Sequence, residues 1–523
     1  MSTAQDTAKL PGQIKYIIGN EGCERFSFYG MRNILVQFLI TSTLLQHILD
    51  AGERELVAKD IMHTFMIGVY FFPLLGGWLA DRFFGKYRTI LWFSLIYCVG
   101  HACLALFEDS RTGFYTGLAL IAFGAGGIKP LVATFVGDQF TKRNEHLAKV
   151  VFDAFYWIIN FGSLFASLLM PLFLKKYGPG VAFGIPGILM FIATIVLWLG
   201  RKQYVMVPPQ PNTDPDTFGK IIRTALTRSV PGKGAPGKWF AIASVLASLG
   251  VIAWGLTAGL HFIVIALCSV IVILIAGVGG GAAMQLDRAE GIHNAAAIHG
   301  VRNVLKMLLL FVPCTVFFSL FDQKASTWVI QGQDMLKPEW FSAAQMQALN
   351  PALVLILIPF NNLVLFPMLR KSGIAVTPLR RMTMGILFSG LAWIVIGLIQ
   401  LQMDGGTPMT IVWQVLPYAL LTFGEVLVSA TGLEFAYSQA PQSMKGVVMS
   451  FWNLTTTIGN LWVLVMNAAV RNDGVSSAIE KTGLSSIAFQ MFFFAIVALI
   501  AALAFGWYAR RYQMVDNYRD ATV

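Results

Sequence analysis

Ionisable residues stand inside stretches of this chain that are otherwise apolar, and their spacing is the first clue to chemistry. Glu21, Glu24, Arg25, Phe28, Tyr29 and Arg32 recur at intervals of three and four, so on a helix they share one face. Both signs of charge on one face suit a site that binds a zwitterion or relays protons. A helix end laced with intrahelical ion pairs is the plainer alternative. Lys129 stands within Gly124-Ala125-Gly126-Gly127-Ile128-Lys129-Pro130, where small residues allow close helix packing and Pro130 interrupts the backbone ladder. An unpaired charge at mid-bilayer costs about 2.5–3.5 kcal/mol on insertion scales, so Lys129 needs an acidic partner. Asp322, in the apolar stretch 317–323, is a candidate from the other half of the chain. Neutralising the acid would release the lysine, which would make such a pair a protonation-sensitive latch.

Glu425 and Glu434 lie nine residues apart, so a straight helix puts them on opposite sides. Glu425 follows a long apolar run and is the pocket candidate of the two; Glu434 reads as nearer a cytoplasmic end. His63 opens the second apolar span, and an imidazole titrates near physiological pH, which suits a proton-coupled step. A satisfied interfacial histidine is the alternative. His47, His101, His146, His261, His293 and His299 read as structural. Tyr70, Asn160, Asn350 and Trp452 either pack helices or line a pocket for amides and apolar side chains. No nucleophile–base constellation, metal cluster or Gly-rich nucleotide loop emerges, so no catalytic residue, metal site or cofactor is expected. The five cysteines (Cys23, Cys98, Cys103, Cys268 and Cys314) lie in or near apolar segments and follow no disulfide or metal-ligand spacing. Without ATP-binding motifs, a primary pump is also excluded.

The elements that must position these residues are membrane helices. Of 523 residues, 56% are hydrophobic and 12% charged, about half the charge of a soluble protein, and the mean hydropathy is +0.66. Apolar runs of about 20 residues recur along the chain, each long enough to cross a bilayer core as a helix. Strand-period alternation is absent, which disfavours a β-barrel. Six spans fall near 14–42, 60–83, 87–107, 113–137, 147–172 and 182–200. A Pro-, Gly- and Lys-rich connector at 202–238 follows, then two apolar spans near 239–258 and 260–282 that read as lipid-facing accessories. Six more fall near 301–330, 346–370, 378–402, 411–438, 444–470 and 486–511.

These spans predict an all-α membrane protein of fourteen transmembrane helices: two six-helix bundles of the major facilitator superfamily type plus two accessory helices. The expected domains are residues 1–201, the connector with its accessory helices at 202–292, and residues 293–523. A weak internal echo, Asp81-Arg82-Phe83-Phe84-Gly85-Lys86 against Arg370-Lys371-Ser372-Gly373, agrees with two related halves.

The formal charge of +11 is distributed by topology and not gathered for nucleic acid. Basic residues occupy alternate loops: Arg82, Lys86 and Arg88; Lys142, Arg143 and Lys149; Lys220, Arg223 and Arg228; Arg370, Lys371, Arg380 and Arg381; Arg510 and Arg511. Intervening loops are mixed or acidic, with Glu53, Asp60, Glu108, Asp334, Glu339 and Asp404. The positive-inside rule then places both termini in the cytoplasm. Residues 2–12 are polar and lead into a full-length helix without a cleavage site, so no signal peptide is expected.

Three motifs carry a resemblance. Glu21-Gly22-Cys23-Glu24-Arg25-Phe26-Ser27-Phe28-Tyr29-Gly30 resembles the ExxER-F-S-[FY]-Y-G signature of the proton-dependent oligopeptide transporter family. Phe155-Tyr156-Trp157-Ile158-Ile159-Asn160-Phe161-Gly162-Ser163-Leu164 is similar to its FYxxINxGSL signature, and residues 424–433 to its GEVxxSxTGL segment. The accessory helices resemble those of bacterial members. The resemblance implies a symporter of di- and tripeptides with protons, in a bacterial inner membrane, working as a monomer by alternating access. It implies proton coupling by Glu21, Glu24 and Arg25, an ion pair between Lys129 and Asp322, and capture of the peptide's amino terminus by Glu425 beside Asn160 and Asn350. The peptide carboxylate would face Arg25 and Lys129, with Phe28, Tyr29, Arg32 and Tyr70 on the pocket wall. His63-Thr64-Phe65 and Phe321-Asp322-Gln323 look more like animal peptide transporters, where the histidine handles the proton; many bacterial relatives lack it. Phe28 stands where relatives often have Tyr, which removes a hydroxyl. A carrier of another small solute such as nitrate is the rival; Glu425, an acid poised for an ammonium group, argues against it.

Overall fold

The computed structural model describes residues 10–140, 147–209, 214–259, 262–441 and 444–514. Residues 2–9 of the polar start, Lys142, Arg143, His146 and His261 lie outside the described residues, as does the side chain of Lys149. Among the described residues, twelve helices are long and apolar enough to cross a membrane. Two more, Ile14–Thr41 and Lys445–Val470, are equally long and complete the fourteen expected. Both are less apolar than those twelve. Ile14–Thr41 carries Glu21, Glu24, Arg25 and Arg32, and Lys445–Val470 is diluted by Asn453, Thr455, Thr456, Thr457 and Asn460. Polar groups in such helices are costly in lipid and face the protein interior, as the burial of Glu21, Glu24, Arg25, Arg32 and Asn460 shows.

Helix ends follow their capping residues. The Asp50 side chain accepts from the Glu53 amide at 2.6 Å and starts a helix at Ala51. That is nine residues before the apolar run begins, so a hydropathy reading placed the start late. Glu53, Arg54, Glu55 and Asp60 therefore belong to the helix and not to a loop, and His63 is interior rather than terminal. Helix Pro73–Leu79 and a π-helical turn, Ala80–Phe84, extend the same span to Ala51–Phe84. Gly85 turns the chain at φ 76°, a conformation that favours glycine.

Packing divides the chain into two units, each described here by itself. The first joins residues 1–212 with 323–367 and 407–422. Its glycine-rich motif explains the closeness of its helices. A Cβ on Gly127 would lie 2.1 Å from the Phe93 ring, and one on Gly126 would lie 2.4 Å from Phe72 Cβ. Uncharged side chains help to tie the stretch 323–367 to the first-half helices, beside Lys175, which donates to the Glu339 carbonyl. Ser342 Oγ donates to Gln37 Oε1 at 2.8 Å, Gln345 Nε2 to the Leu168 carbonyl at 3.0 Å, and Gln347 Nε2 to the Asn33 carbonyl at 3.0 Å.

The second unit joins residues 213–322, 368–406 and 423–523. The connector read as merely polar contains an amphipathic helix, Phe218–Thr227, which buries Ile221, Ile222 and Ala225 in this unit's core. Gln285 Nε2 donates to the Ala225 carbonyl at 2.8 Å, and Arg288 Nη1 to the Arg228 carbonyl at 2.9 Å, which anchors the connector further. Beside them Lys233 hydrogen-bonds Asp287 at 2.9 Å and holds that exposed carboxyl below its ordinary range. The accessory helices Pro236–Thr257 and Val264–Met284 meet where a Cβ on Gly237 would lie 2.0 Å from the Gly281 carbonyl oxygen.

Candidate functional site

The first-helix face forms as its spacing predicts. Arg25 Nε lies 2.8 Å from Glu21 Oε1 and 2.6 Å from Glu24 Oε2. Both pairs lie within one helix, as the plainer alternative also has it, and the three groups are buried: Glu21 is 3% exposed, Glu24 0% and Arg25 7%. Removing one partner of such a buried group leaves an uncompensated charge, at a cost of about 3–5 kcal/mol. Gly22 and Gly162 let the second motif's helix lie against this one: a Cβ on Gly162 would stand 3.2 Å from the Gly22 carbonyl oxygen.

Phe28 and Tyr70 meet at a third residue. Lys129 Nζ stands 3.7 Å from the Phe28 ring centroid and 4.8 Å from that of Tyr70, within cation–π range of both. Lys129 also acts electrostatically on Glu21. Phe28 thus offers its ring face to the ammonium. Tyr29 packs edge-on to Phe28 with centroids 5.4 Å apart, and Arg32 is buried on the same helix.

His63 is fully buried, with Nε2 2.9 Å from Ser326 Oγ. Asn350 Oδ1 accepts from Lys324 Nζ at 2.8 Å, while Asn350 Nδ2 donates to Thr422 Oγ1 at 3.1 Å. Lys324 and Ser326 were missed in the sequence. The signal for Lys324 was available: a second charge two residues beyond Asp322 at the end of an apolar span, now 4% exposed. Asn160 is less engaged with its neighbours, since its amide donates to the Tyr156 carbonyl of its own helix at 3.0 Å.

In the second unit, Asp322 Oδ2 accepts from Asn460 Nδ2 at 2.7 Å, and Asp322 is 1% exposed. Asn460 also donates to the Thr456 carbonyl at 2.9 Å, so the neutral amide is fixed by its own helix and holds the carboxylate in turn. Glu425 is half-buried and immediately precedes a π-helical turn, Val426–Ala430. Such turns concentrate at functional sites because the extra residue re-aims side chains, and straight-helix arithmetic from Glu425 to Glu434 no longer applies. Glu434 is largely exposed and lies 3.8 Å from Arg381. Trp452 packs against Phe311 and Phe318, with centroids at 5.3 and 5.8 Å, and its ring edge occupies the space a Cβ on Gly432 would need, 2.0 Å away. No group of three His, Cys, Asp or Glu able to hold a metal occurs among the described residues.

The profile described as POT family matches residues 87–483. The crystal structure of an auto-inhibited POT family peptide transporter is 68% identical, with a TM-score of 0.94, covering 98% of this chain and 99% of that one. That of the POT family transporter PepTSo is 59% identical, also with a TM-score of 0.94, covering 98% and 100%. Peptide transporter 3 of Caenorhabditis elegans is 32% identical over 425 residues, which are 77% of this chain and 52% of that protein. The chain spans about half the length of the curated relatives it matches. A nitrate carrier gains no support from these similarities.

Proposed function

The chain belongs to the POT family of transporters, a membrane fold of the major facilitator type, and on that premise we propose that it imports di- and tripeptides by symport with protons. The observation that carries this reading is Arg25 held between the buried carboxylates of Glu21 and Glu24. A peptide carboxylate arriving at Arg25 competes with both acids for one guanidinium. The acid that loses its partner becomes an uncompensated buried charge, and a proton neutralises it. Substrate and proton are then bound together because each removes the other's penalty. The acids and bases of this site titrate as a set, so the proton belongs to the cluster.

The remaining roles complete the cycle. Lys129 joins Arg25 in receiving the peptide carboxylate, with Phe28, Tyr29, Arg32 and Tyr70 beside it. Glu425 takes the amino terminus, and Asn160, Asn350 and Trp452 line the peptide's path. Protonation of Asp322 releases Lys129 from a latch between them, and His63 serves the same proton. Fixed charges for both peptide ends limit length while leaving side chains free to vary. The domains at 1–201, 202–292 and 293–523 act as two bundles and a joining segment in alternating access. The chain works as a single copy in the bacterial inner membrane, with both termini cytoplasmic; the basic loops support this orientation.

Purified protein in liposomes tests the substrate class. Under an inward proton gradient, uptake of labelled dialanine should be competed by di- and tripeptides and not by tetra-alanine, free alanine or nitrate. Competition by nitrate, or uptake indifferent to the gradient, would overturn the reading.

A further inference from the structure

Two helices of the second unit end in cations that no acid answers. Helix Ala295–Asp322 exposes Arg302, Lys306, Leu309 and Val312, which recur at three and four residues and form one stripe. Helix Ser486–Ala509 exposes Ile500, Leu503 and Trp507 in the same way, and exposed Arg511 follows one turn past Trp507. Each stripe is apolar along its length and turns cationic at one end.

The two cationic ends lie together. Tyr508 Oη donates to the Lys306 carbonyl at 3.4 Å. Tyr508 is half-buried beside exposed Trp507 and Arg511, at the border of its helix's stripe, while Lys306 belongs to the other stripe. That bond sets the stripes side by side, with Lys306 level with Tyr508. Four spans intervene between the two helices, so they cross in opposite directions. The steps from Lys306 to Arg302 and from Trp507 to Arg511 therefore lead the same way, about 5–6 Å each. The Arg511 guanidinium stands 3.8 Å from the Trp507 ring centroid, which holds it at the apolar boundary.

Other basic groups of this unit are fixed by oxygen: Lys233 by Asp287, Arg288 by the Arg228 carbonyl and Arg381 by Glu434. Among the described residues, Arg302, Lys306 and Arg511 enter no ion pair. Neither residues 295–321 nor residues 486–511 include an Asp or Glu. Orientation in the bilayer asks only for basic loops. Arg302 and Lys306 instead lie about two and three turns inside a membrane-length helix and face outward.

We infer that this place binds an anionic phospholipid. Arg302, Lys306 and Arg511 donate to the headgroup phosphate, and Trp507 sits at the level where headgroup meets chain. The acyl chains lie over Leu309 and Val312 on one helix and Ile500 and Leu503 on the other. On the orientation proposed above, the lipid comes from the cytoplasmic leaflet. Its phosphate supplies the negative charge that both helices lack, and so ties them together.

The purified full-length protein is titrated with phosphatidylglycerol or with phosphatidylcholine of the same chains, and bound lipid is counted by native mass spectrometry. Phosphatidylglycerol should occupy a saturable site and bind more tightly than phosphatidylcholine. A cation near an anionic lipid surface contributes about fivefold in affinity. Lys306→Gln with Arg511→Gln should therefore weaken phosphatidylglycerol binding roughly thirtyfold. Arg302→Gln with Lys306→Gln, which leaves the Arg511–Trp507 stack intact, should do the same. Arg370→Gln with Lys371→Gln removes as much charge elsewhere and should alter binding by less than about twofold. Equal binding of the two lipids, equal weakening in the Arg370 and Lys371 pair, or displacement of the lipid by inorganic phosphate would overturn the site.

Discussion

Arg25 Nε lies 2.6 Å from Glu24 Oε2, closed off from solvent inside a helix whose length suits a membrane. In that setting a salt bridge is weak evidence for stability, because making it gains little, yet breaking it is costly. On the proposed reading, Arg25 is the point where a peptide carboxylate competes with the two acids.

Arg25→Met should therefore abolish peptide uptake and exchange alike. Stranding two carboxylates also costs about 3–5 kcal/mol, unless protons restore neutrality. Thermal unfolding in detergent should show a lower midpoint at neutral pH that partly recovers in acid, where the carboxyls are neutral. A midpoint insensitive to the substitution at every pH would contradict the buried pairing.

His63→Gln and Ser326→Ala each remove one side of a buried contact. A neutral hydrogen bond is worth about 1 kcal/mol, roughly fivefold. Ser326→Ala should slow gradient-driven uptake by that much, and His63→Gln by more, because it also removes the titratable group. Exchange without a gradient should survive His63→Gln. Loss of exchange together with driven uptake would make the histidine structural.

Gly432→Ala places a methyl 2.0 Å from the Trp452 ring, which Phe311 and Phe318 prevent from retreating. Overpacking of this kind costs about 1–3 kcal/mol. The variant should unfold at a lower temperature, and Gly432→Ala with Trp452→Phe should recover part of the loss. No destabilisation by the single change would show that the indole moves freely.

Lys324→Met keeps the side chain's bulk and removes its bond to Asn350. With Asn350 released on that side, the KM for dialanine should rise several-fold, while the maximal rate changes less. An unchanged KM would confine Lys324 to packing.

The sequence was most legible where periodicity met chemistry. Glu21 and Arg25 are bonded at the four-residue spacing that puts them on one face, while the Arg25–Glu24 pair joins adjacent residues; the helices near 87–107 and 378–402 match Lys86–Leu106 and Pro378–Asp404 closely. Hydropathy failed where polar groups extend a helix past its apolar run. The Asp50 cap carries the second helix nine residues further, which turns His63 from a terminal residue into a buried one. Contacts between distant segments were not legible, because no periodicity encodes them. Nothing near Ser27 in the chain announces His101, nor does anything near His63 announce Ser326. The π-helical turn after Glu425 was equally hidden, since its residues, Val426–Ala430, suit an α-helix as well.

Proton entry measured with a pH-sensitive dye, in proteoliposomes offered dialanine outside, tests coupled peptide import most directly. Wild type should acidify on peptide addition, and Glu425→Gln and Lys129→Ala should both abolish the signal. Peptide-independent acidification, or a signal that persists in both variants, would contradict it.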